Sequence, residues 1–192
     1  MRKVLVQELM TLDGFVAGPN DELDFFESAG DFSEVDRANL KQLKGVDSVL
    51  LGAATYRMFV DYWPTPQSEG EIVAEMVNTI PKVVFSSTLD RAPWGSSPEA
   101  RLVRGNAVDE VASLKQGPGK DIIVWGSLTL AQSLLGAGLV DEVQLHVCPI
   151  TLGEGRRLFT GDAARLSLQV LEAKTYDVGD VVTLRYGPER AT

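Results

Sequence analysis

Residues 121–129, Asp-Ile-Ile-Val-Trp-Gly-Ser-Leu-Thr, decide the fold class. The run from Asp121 to Trp125 is almost continuously apolar, which is typical of a parallel strand buried on both faces. Gly126 and Ser127 follow at once, and leucines then recur at helical spacing over residues 128–135. The strand therefore passes directly into a helix, which is the repeating unit of a parallel α/β sheet.

The same alternation extends outward through most of the chain. Apolar runs predict further strands over residues 4–10, 47–52, 82–85, 101–104 and 142–147, with helices over 35–44, 53–59, 71–78 and 108–115. Two β-rich runs at 168–176 and 180–186 flank a turn and predict an antiparallel hairpin. We therefore predict one α/β domain over residues 1–192, with a mixed, mostly parallel sheet and a C-terminal antiparallel hairpin.

The charge and cysteine content of the chain exclude several classes of ligand and site. The formal net charge of -9 makes nucleic acid an unfavourable partner, whereas aligned backbone amides can still hold a compact anion. The single cysteine, Cys148, excludes an internal disulfide and a cysteine metal cage. The first ten residues are too short and polar for a signal peptide, and no run reaches the roughly 20 apolar residues of a membrane span. We expect a cytoplasmic protein with a small-molecule substrate, without metal, membrane or nucleic acid.

Three predicted strand ends carry groups suited to phosphate. Ligands of α/β sheets bind beyond the carboxyl ends of strands, where glycine lets a phosphate approach the backbone. A glycine before a helix is more often only a tight turn, so two such turns together are the stronger signal. The hydroxyl-rich end either binds an adenosine 2′-phosphate with Arg91 or Arg104 or forms a simple turn. The three ends are Gly52-Ala53-Ala54-Thr55, Ser86-Ser87-Thr88 and Gly126-Ser127-Leu128-Thr129.

Five segments in order resemble the reductase-domain family typified by the riboflavin biosynthesis enzyme and similar to dihydrofolate reductase. They are residues 11–18 (TLDGFVAG), 50–56 (LLGAATY), 82–89 (KVVFSSTL), 124–127 (VWGS) and 139–155 (LVDEVQLHVCPITLGEG). The resemblance implies a dihydrofolate reductase-like three-layer α/β/α fold, a homodimer, and NADPH as the hydride donor to a heterocyclic or carbonyl/imine substrate. It implies cofactor contacts at Val16, at Gly52, Ala53 and Thr55, at Gly126, Ser127, Leu128 and Thr129, and at Ser86, Ser87, Thr88 and Arg104.

Two departures from the family leave alternatives open. Many relatives have two or three glycines where this chain has Gly126-Ser127, so a non-catalytic nucleotide- or pterin-binding protein is one alternative. Dihydrofolate reductase itself is another, and Asp24 is the nearest candidate for its pterin-binding acid. Added deaminase activity is excluded, because the zinc deaminase pattern H-x-E…P-C-x-x-C is absent. The dinucleotide fingerprint G-x-G-x-x-G is absent after the first strand.

A few further side chains have predicted roles. Asp13 lies in the first loop, where it orients substrate, relays a proton, or only forms an Asp-Gly turn. Alternation predicts that His146 is solvated or faces a partner, and the apolar strand around it, residues 143–147, is the predicted dimer contact. Cys148 is predicted to be a buried apolar filler. Tyr62 and Trp63 either wall a pocket for a planar substrate or only cap the core.

Overall fold

The computed structural model describes residues 1–160 and 165–189. Its elements closely match the predicted alternation, and they differ from it mainly by one or two residues at their ends. The strands are β1 (Val4–Thr11), β2 (Val46–Gly52), β3 (Lys82–Phe85), β4 (Arg101–Val103), β5 (Asp121–Trp125), β6 (Glu142–Cys148), β7 (Leu168–Lys174) and β8 (Val182–Pro188). The helices are α1 (Ser33–Leu43), α2 (Ala53–Val60), α3 (Ala74–Thr79), α4 (Ala107–Gln116) and α5 (Leu128–Gly136).

The eight strands form one sheet in the order β4-β3-β2-β5-β1-β6-β8-β7. Strands β1 to β6 pair in parallel, whereas β8 runs antiparallel to β6 and β7 runs antiparallel to β8. The predicted mixed sheet with a C-terminal antiparallel hairpin is therefore confirmed. Extension to residues 161–164 and 190–192, which the single-domain prediction includes, lies outside the described residues.

Strand order reverses between β1 and β5. The chain leaves β1 through α1 and enters β2, which lies on the far side of β5. It leaves β5 through α5 and enters β6, which lies on the far side of β1. Two connections that depart in opposite directions open a crevice beyond the carboxyl ends of these two strands, which is where open α/β sheets bind ligands.

Helices cover both faces of the sheet. On one face Val111 of α4 and Leu130 and Leu134 of α5 pack into a single apolar cluster with β1, β5 and β6. On the other face Leu43 of α1 and Tyr56 of α2 pack in a second cluster. Burial of these two apolar surfaces is the main driving force for folding, and it gives the predicted three-layer α/β/α arrangement.

Two predictions about β6 are wrong. The strand is not an exposed edge, because β1 pairs with one side of it and β8 with the other. His146 is not solvated, since its side chain is only 3% exposed and its Nδ1 lies 2.8 Å from Thr183 Oγ1. Alternation cannot identify a solvent face when both faces of a strand are covered. Cys148 is fully buried, as predicted.

Among residues 1–160 and 165–189, the helices are all too short or too polar to cross a bilayer.

Candidate cofactor-binding and active site

Ser127 fastens two of the three predicted strand ends to each other. The Gly52 amide donates to Ser127 Oγ at 2.8 Å, and the Ser127 amide donates to Thr55 Oγ1 at 2.9 Å. The Ser127 hydroxyl also donates to the Trp125 carbonyl at 2.9 Å. The turn from β5 to α5 is therefore held directly against the turn from β2 to α2, and a pyrophosphate shared by the two turns stays a prediction.

Backbone conformation explains why glycine suits this turn. Gly126 and Ser127 have φ values of 51° and 57°, in the left-handed region that costs a residue with a Cβ roughly 1–2 kcal/mol. A Cβ on Gly126 would lie 3.4 Å from Thr55 Oγ1, so the space there is already close to filled. Ser127 adopts the same conformation, and its three hydrogen bonds offset that cost.

The N-termini of α2 and α5 meet at this point with their amides available. In each helix the N-cap residue, Gly52 or Ser127, makes no side-chain cap bond within the described part of the chain. The first intrahelical bond of α5 runs from the Ala131 amide to the Ser127 carbonyl, which leaves the amides of Leu128 and Thr129 facing outward. Two adjacent helix N-termini present partial positive charge and aligned donors, the usual elements of a phosphate site.

At the hydroxyl-rich end of β3, one hydroxyl shapes the turn and the others are available to contact a ligand. Ser86 Oγ accepts the amides of Thr88 and Leu89 at 3.1 Å each, so this hydroxyl shapes the turn. Ser87 and Thr88 are exposed. Arg104 directly follows β4, whose Val103 pairs with Phe85 at the end of β3, and its guanidinium donates to the Asp90 carbonyl at 3.4 Å.

The two arginines proposed for this end differ in their contacts. Arg91 pairs with Glu99 through two hydrogen bonds, at 3.3 and 2.8 Å. Arg104 is half exposed and more loosely held: it donates to the Asp90 carbonyl at 3.4 Å and forms a long ion pair with the exposed Asp90 carboxylate at 3.9 Å. Arg104 is therefore the available cation of the pair.

Polar groups that the sequence analysis missed line the opposite side of the crevice. Trp125 Nε1 donates to Gln7 Oε1 at 2.6 Å, and Gln7 Nε2 donates to Asn39 Oδ1 at 3.0 Å. Asp36 lies one helical turn before Asn39 on α1, and burial, reinforced by the charge of Glu71, raises the pKa of Asp36 to about 6. The available signals were a glutamine interrupting an apolar strand and polar residues three apart on a helix.

Aromatic rings extend this side of the crevice. The ring of Phe59 lies 6.1 Å from that of Trp125 and 6.2 Å from that of Trp63, and Tyr62 is 5.2 Å beyond Trp63. Tyr62 and Trp63 thus continue an aromatic wall that begins at the β5 terminus. Asp24, the sequence candidate for an acid in the crevice, is instead exposed on a short 3-10 turn.

Asp13 holds the first loop to the turn at residues 152–153. Its carboxylate accepts the Thr11 hydroxyl at 2.6 Å and the Gly153 amide at 2.7 Å, with the Leu152 amide at 3.1 Å. These bonds, that of Thr11 foremost, hold the pKa of Asp13 below its usual range. The geometry favours the structural role, and the catalytic role stays a prediction.

Val16 is buried in the same loop, and its amide donates to the Arg156 carbonyl at 2.8 Å. Its side chain packs in the apolar cluster under α5. Any contact with a cofactor at this position would therefore involve its backbone carbonyl. Across the described residues, His, Cys, Asp and Glu nowhere form a group of three suited to a metal ion.

Comparison with known proteins places the chain in a family. It matches the model of the RibD C-terminal domain over residues 2–182. It is 32% identical over 183 residues to the uncharacterized protein YyaP of Bacillus subtilis (strain 168), which covers 94% of this chain and 92% of YyaP.

Solved structures agree with this assignment. A Shewanella sp. PV-4 protein named for riboflavin biosynthesis superposes with a TM-score of 0.76 at 25% identity, covering 98% of this chain and 99% of that one. A Thermotoga maritima deaminase and 5-amino-6-(5-phosphoribosylamino)uracil reductase shares the fold at a TM-score of 0.67 and 14% identity, over 97% of this chain and 56% of that one. The chain belongs to the RibD C-terminal domain family.

Proposed function

We propose that the protein is an NADPH-dependent reductase that transfers a hydride to a small heterocyclic or carbonyl/imine substrate. One observation carries the proposal. Ser127 joins two uncapped helix N-termini at the point where the sheet reverses its strand order. That arrangement supplies backbone donors for two phosphates side by side, in the place where open α/β sheets bind nucleotides.

The strand ends supply each part of the cofactor with partners. The pyrophosphate would lie across the starts of α2 and α5, near the Thr55 and Thr129 hydroxyls. The adenosine end would extend toward β3, where Ser87 and Thr88 offer hydroxyls and Arg104 offers a charge. A 2′-phosphate needs such donors and a 2′-hydroxyl does not, so this end supports NADPH over NADH.

The other side of the crevice suits a planar polar substrate. Trp125 and Phe59 offer apolar ring surface, while Gln7 and Asn39 offer hydrogen bonds. Asp36 titrates near pH 6, so its carboxyl can accept or donate a proton under ordinary conditions. Hydride transfer depends mainly on positioning, and these groups are suited to position a ring.

Relatives support the same reaction class. The Shewanella protein is named for riboflavin biosynthesis, and the Thermotoga protein for reduction of a ribosylaminopyrimidine. The second candidate is a non-catalytic nucleotide- or pterin-binding protein. The observation that favours it is Ser127, whose side chain occupies the cofactor turn where many relatives have glycine.

An assay of catalytic turnover distinguishes the reductase from the non-catalytic binding protein. The oxidation of NADPH is followed by the loss of its nicotinamide absorbance in the presence of ribosylaminopyrimidines, pterins, dihydrofolate or flavins. We expect oxidation of NADPH with at least one of them, and a rise of about tenfold or more in KM for Asp36→Asn from loss of one charged hydrogen bond. Tight NADPH binding with no oxidation across the panel would favour the binding protein.

The homodimer is also proposed, with a different contact from the one first predicted. Among the described strands, β7 pairs only with β8, and its Val170 and Leu171 are exposed. An unpaired edge with apolar side chains can pair with a second copy. Light scattering should give twice the chain mass, falling to one chain for Leu171→Lys, and a wild-type monomer would remove the proposal.

A further inference from the structure

Glu8 is a buried carboxyl at the floor of the crevice. Gln7 pairs with Trp125, the last residue of β5, so Glu8 lies level with Gly126, where pairing between β1 and β5 ends. On its other side Glu8 pairs with Leu145 of β6. The residue is only 6% exposed, and none of the roles described above uses it.

The side chain of Glu8 lies on the cofactor side of the sheet. Strand residues alternate between faces, so Glu8 shares a face with Val6 and Met10, and Gln7 points to the α1 side. Val6 and Met10 pack in the cluster that contains Leu130 of α5. Glu8 therefore lies under the helix whose N-terminus forms half of the proposed phosphate site.

Glu8 has an unsatisfied polar atom. Its Oε1 is buried and has no hydrogen-bond partner among the described residues. A buried carboxyl oxygen without a partner destabilises the folded chain, and a leucine or valine would fill the same strand position without that cost. An uncompensated polar group in a ligand crevice indicates a functional role.

The strand neighbours of Glu8 on this face, Val6, Met10 and Leu145, belong to the apolar cluster that includes Leu130 of α5. Burial alone raises the pKa of Glu8 to about 8, so the carboxyl is neutral at pH 7. Helix α5 contains no charged residue, and the charged groups of the other elements on or beside this face have partners of their own or lie at the far end of a strand. These are Asp121 of β5, Glu142 with Arg185, Glu110 with Arg101, Lys115 with Asp141, Arg156 with Asp21, and Arg157 over the Phe15 ring. The β6 histidine, His146, faces the opposite side, and Asp109 of α4 is exposed.

We propose that Glu8 is the charge-compensating residue of the nicotinamide end of this cleft, neutral beside the reduced ring and ionised beside the positive oxidised ring. The inference rests on the proposed function. Ionisation breaks the carboxyl O–H bond and releases the proton to solvent, and no other bond at Glu8 changes. A carboxylate in an apolar site interacts strongly with a nearby cation, so Glu8 would favour the oxidised cofactor as the hydride leaves.

The test is the pH dependence of nucleotide binding by calorimetry, for NADP⁺ and NADPH, between pH 7 and 9.5, where the 2′-phosphate is fully ionised. For the wild type, a coupling of one pKa unit predicts that the Kd of NADP⁺ falls about fivefold across this range, while the Kd of NADPH does not fall. At pH 8, buffers of different ionisation enthalpy should reveal release of a fraction of a proton with NADP⁺. In Glu8→Gln both affinities should be independent of pH.

The control is Lys82→Met. Lys82 is buried at the start of β3, above the Trp94 ring at 4.3 Å, and burial lowers its pKa to about 7, so it titrates in the same range away from the crevice. Its removal should leave the pH dependence of the NADP⁺ Kd unchanged.

The role of Glu8 would be overturned by an unchanged pH dependence of the NADP⁺ Kd in Glu8→Gln, or by the absence of proton release from the wild type. If Glu8→Gln does not fold, the wild-type proton release decides alone. If the wild type binds neither nucleotide, the proposed function fails as well, whereas pH-independent NADPH and NADP⁺ binding removes only the inference.

Discussion

Ser127 Oγ accepts the Gly52 amide at 2.8 Å and so joins two helix N-termini whose residues are 75 positions apart in the sequence. This bond joins two ordinary strand-to-helix turns at the proposed phosphate site. Its geometry depends on the left-handed conformation of Ser127, which turns the hydroxyl toward β2. The pyrophosphate position in our account depends directly on this contact.

Ser127→Ala should separate the two turns. Loss of the hydroxyl leaves the Gly52 amide without its partner, at a cost of about 1 kcal/mol in stability, and NADPH Kd should rise about tenfold. Ser133→Ala is the matched control, because that hydroxyl donates within α5, to the Thr129 carbonyl at 2.8 Å. Titration of both variants with NADPH checks the prediction, and equal affinities would contradict it.

Ser87→Glu should weaken NADPH specifically. A carboxylate at this exposed position would repel the 2′-phosphate, so we expect at least a tenfold rise in Kd for NADPH and little change for NADH. Arg104→Gln should act in the same direction. Arg91→Gln is the control, since Arg91 is paired with Glu99. If neither Ser87→Glu nor Arg104→Gln weakens NADPH binding, the adenosine end lies elsewhere.

Asp13→Asn should act on stability more than on chemistry. The carboxylate accepts hydrogen bonds from Thr11, Leu152 and Gly153, and an amide nitrogen cannot replace that acceptor. We expect a lower Tm and an unchanged pH profile of kcat, because a carboxylate with a lowered pKa carries no proton near neutrality. A profile that loses one ionisation in Asp13→Asn would instead establish the proton relay.

His146 should make the fold sensitive to mild acid. Burial lowers its pKa to about 4 from an ordinary 6.5, so the unfolded chain binds a proton that the folded chain does not. The stabilisation is present above about pH 6.5 and is lost toward pH 4, by roughly 1.4 kcal/mol per pH unit. Urea unfolding of wild type and His146→Gln across this range measures it as a difference that shrinks with falling pH. A constant difference would show that His146 does not titrate as described.

The helices and strands could be predicted well because buried segments appear in the sequence as continuous or periodic runs of apolar residues. The apolar stretch 121–125 with Gly126 behind it predicted both a central strand and its ligand turn, and the structure confirms the strand. The hairpin of β7 and β8 followed from two β-rich runs around one turn. What a run cannot show is which strands become neighbours, and this is why β6 was predicted to be an edge and His146 to be solvated.

The substrate side was harder to predict for the same reason. In the sequence, Asp36 and Asn39 are typical surface residues of a helix. Their position beside the crevice depends on the packing of α1 over β1, which the sequence pattern does not give. Gln7 and Trp125 are far apart in sequence and meet only through the pairing of β1 with β5. Glu8 interrupts an apolar strand, which is a visible signal, but its position level with Gly126 depends on register. Contacts between residues on different strands can be predicted only when the order of the strands in the sheet is known.

The thermal stability of the protein with NADPH and with NADH, at equal concentrations, tests the central claim most directly. A ligand that binds only the folded chain raises Tm according to its affinity. We predict a clear rise with NADPH and a much smaller one with NADH, because in our proposal the groups around Ser87 and Arg104 bind the 2′-phosphate, which NADH lacks. No rise with either, or equal rises with both, would contradict an NADPH cleft at these strand ends.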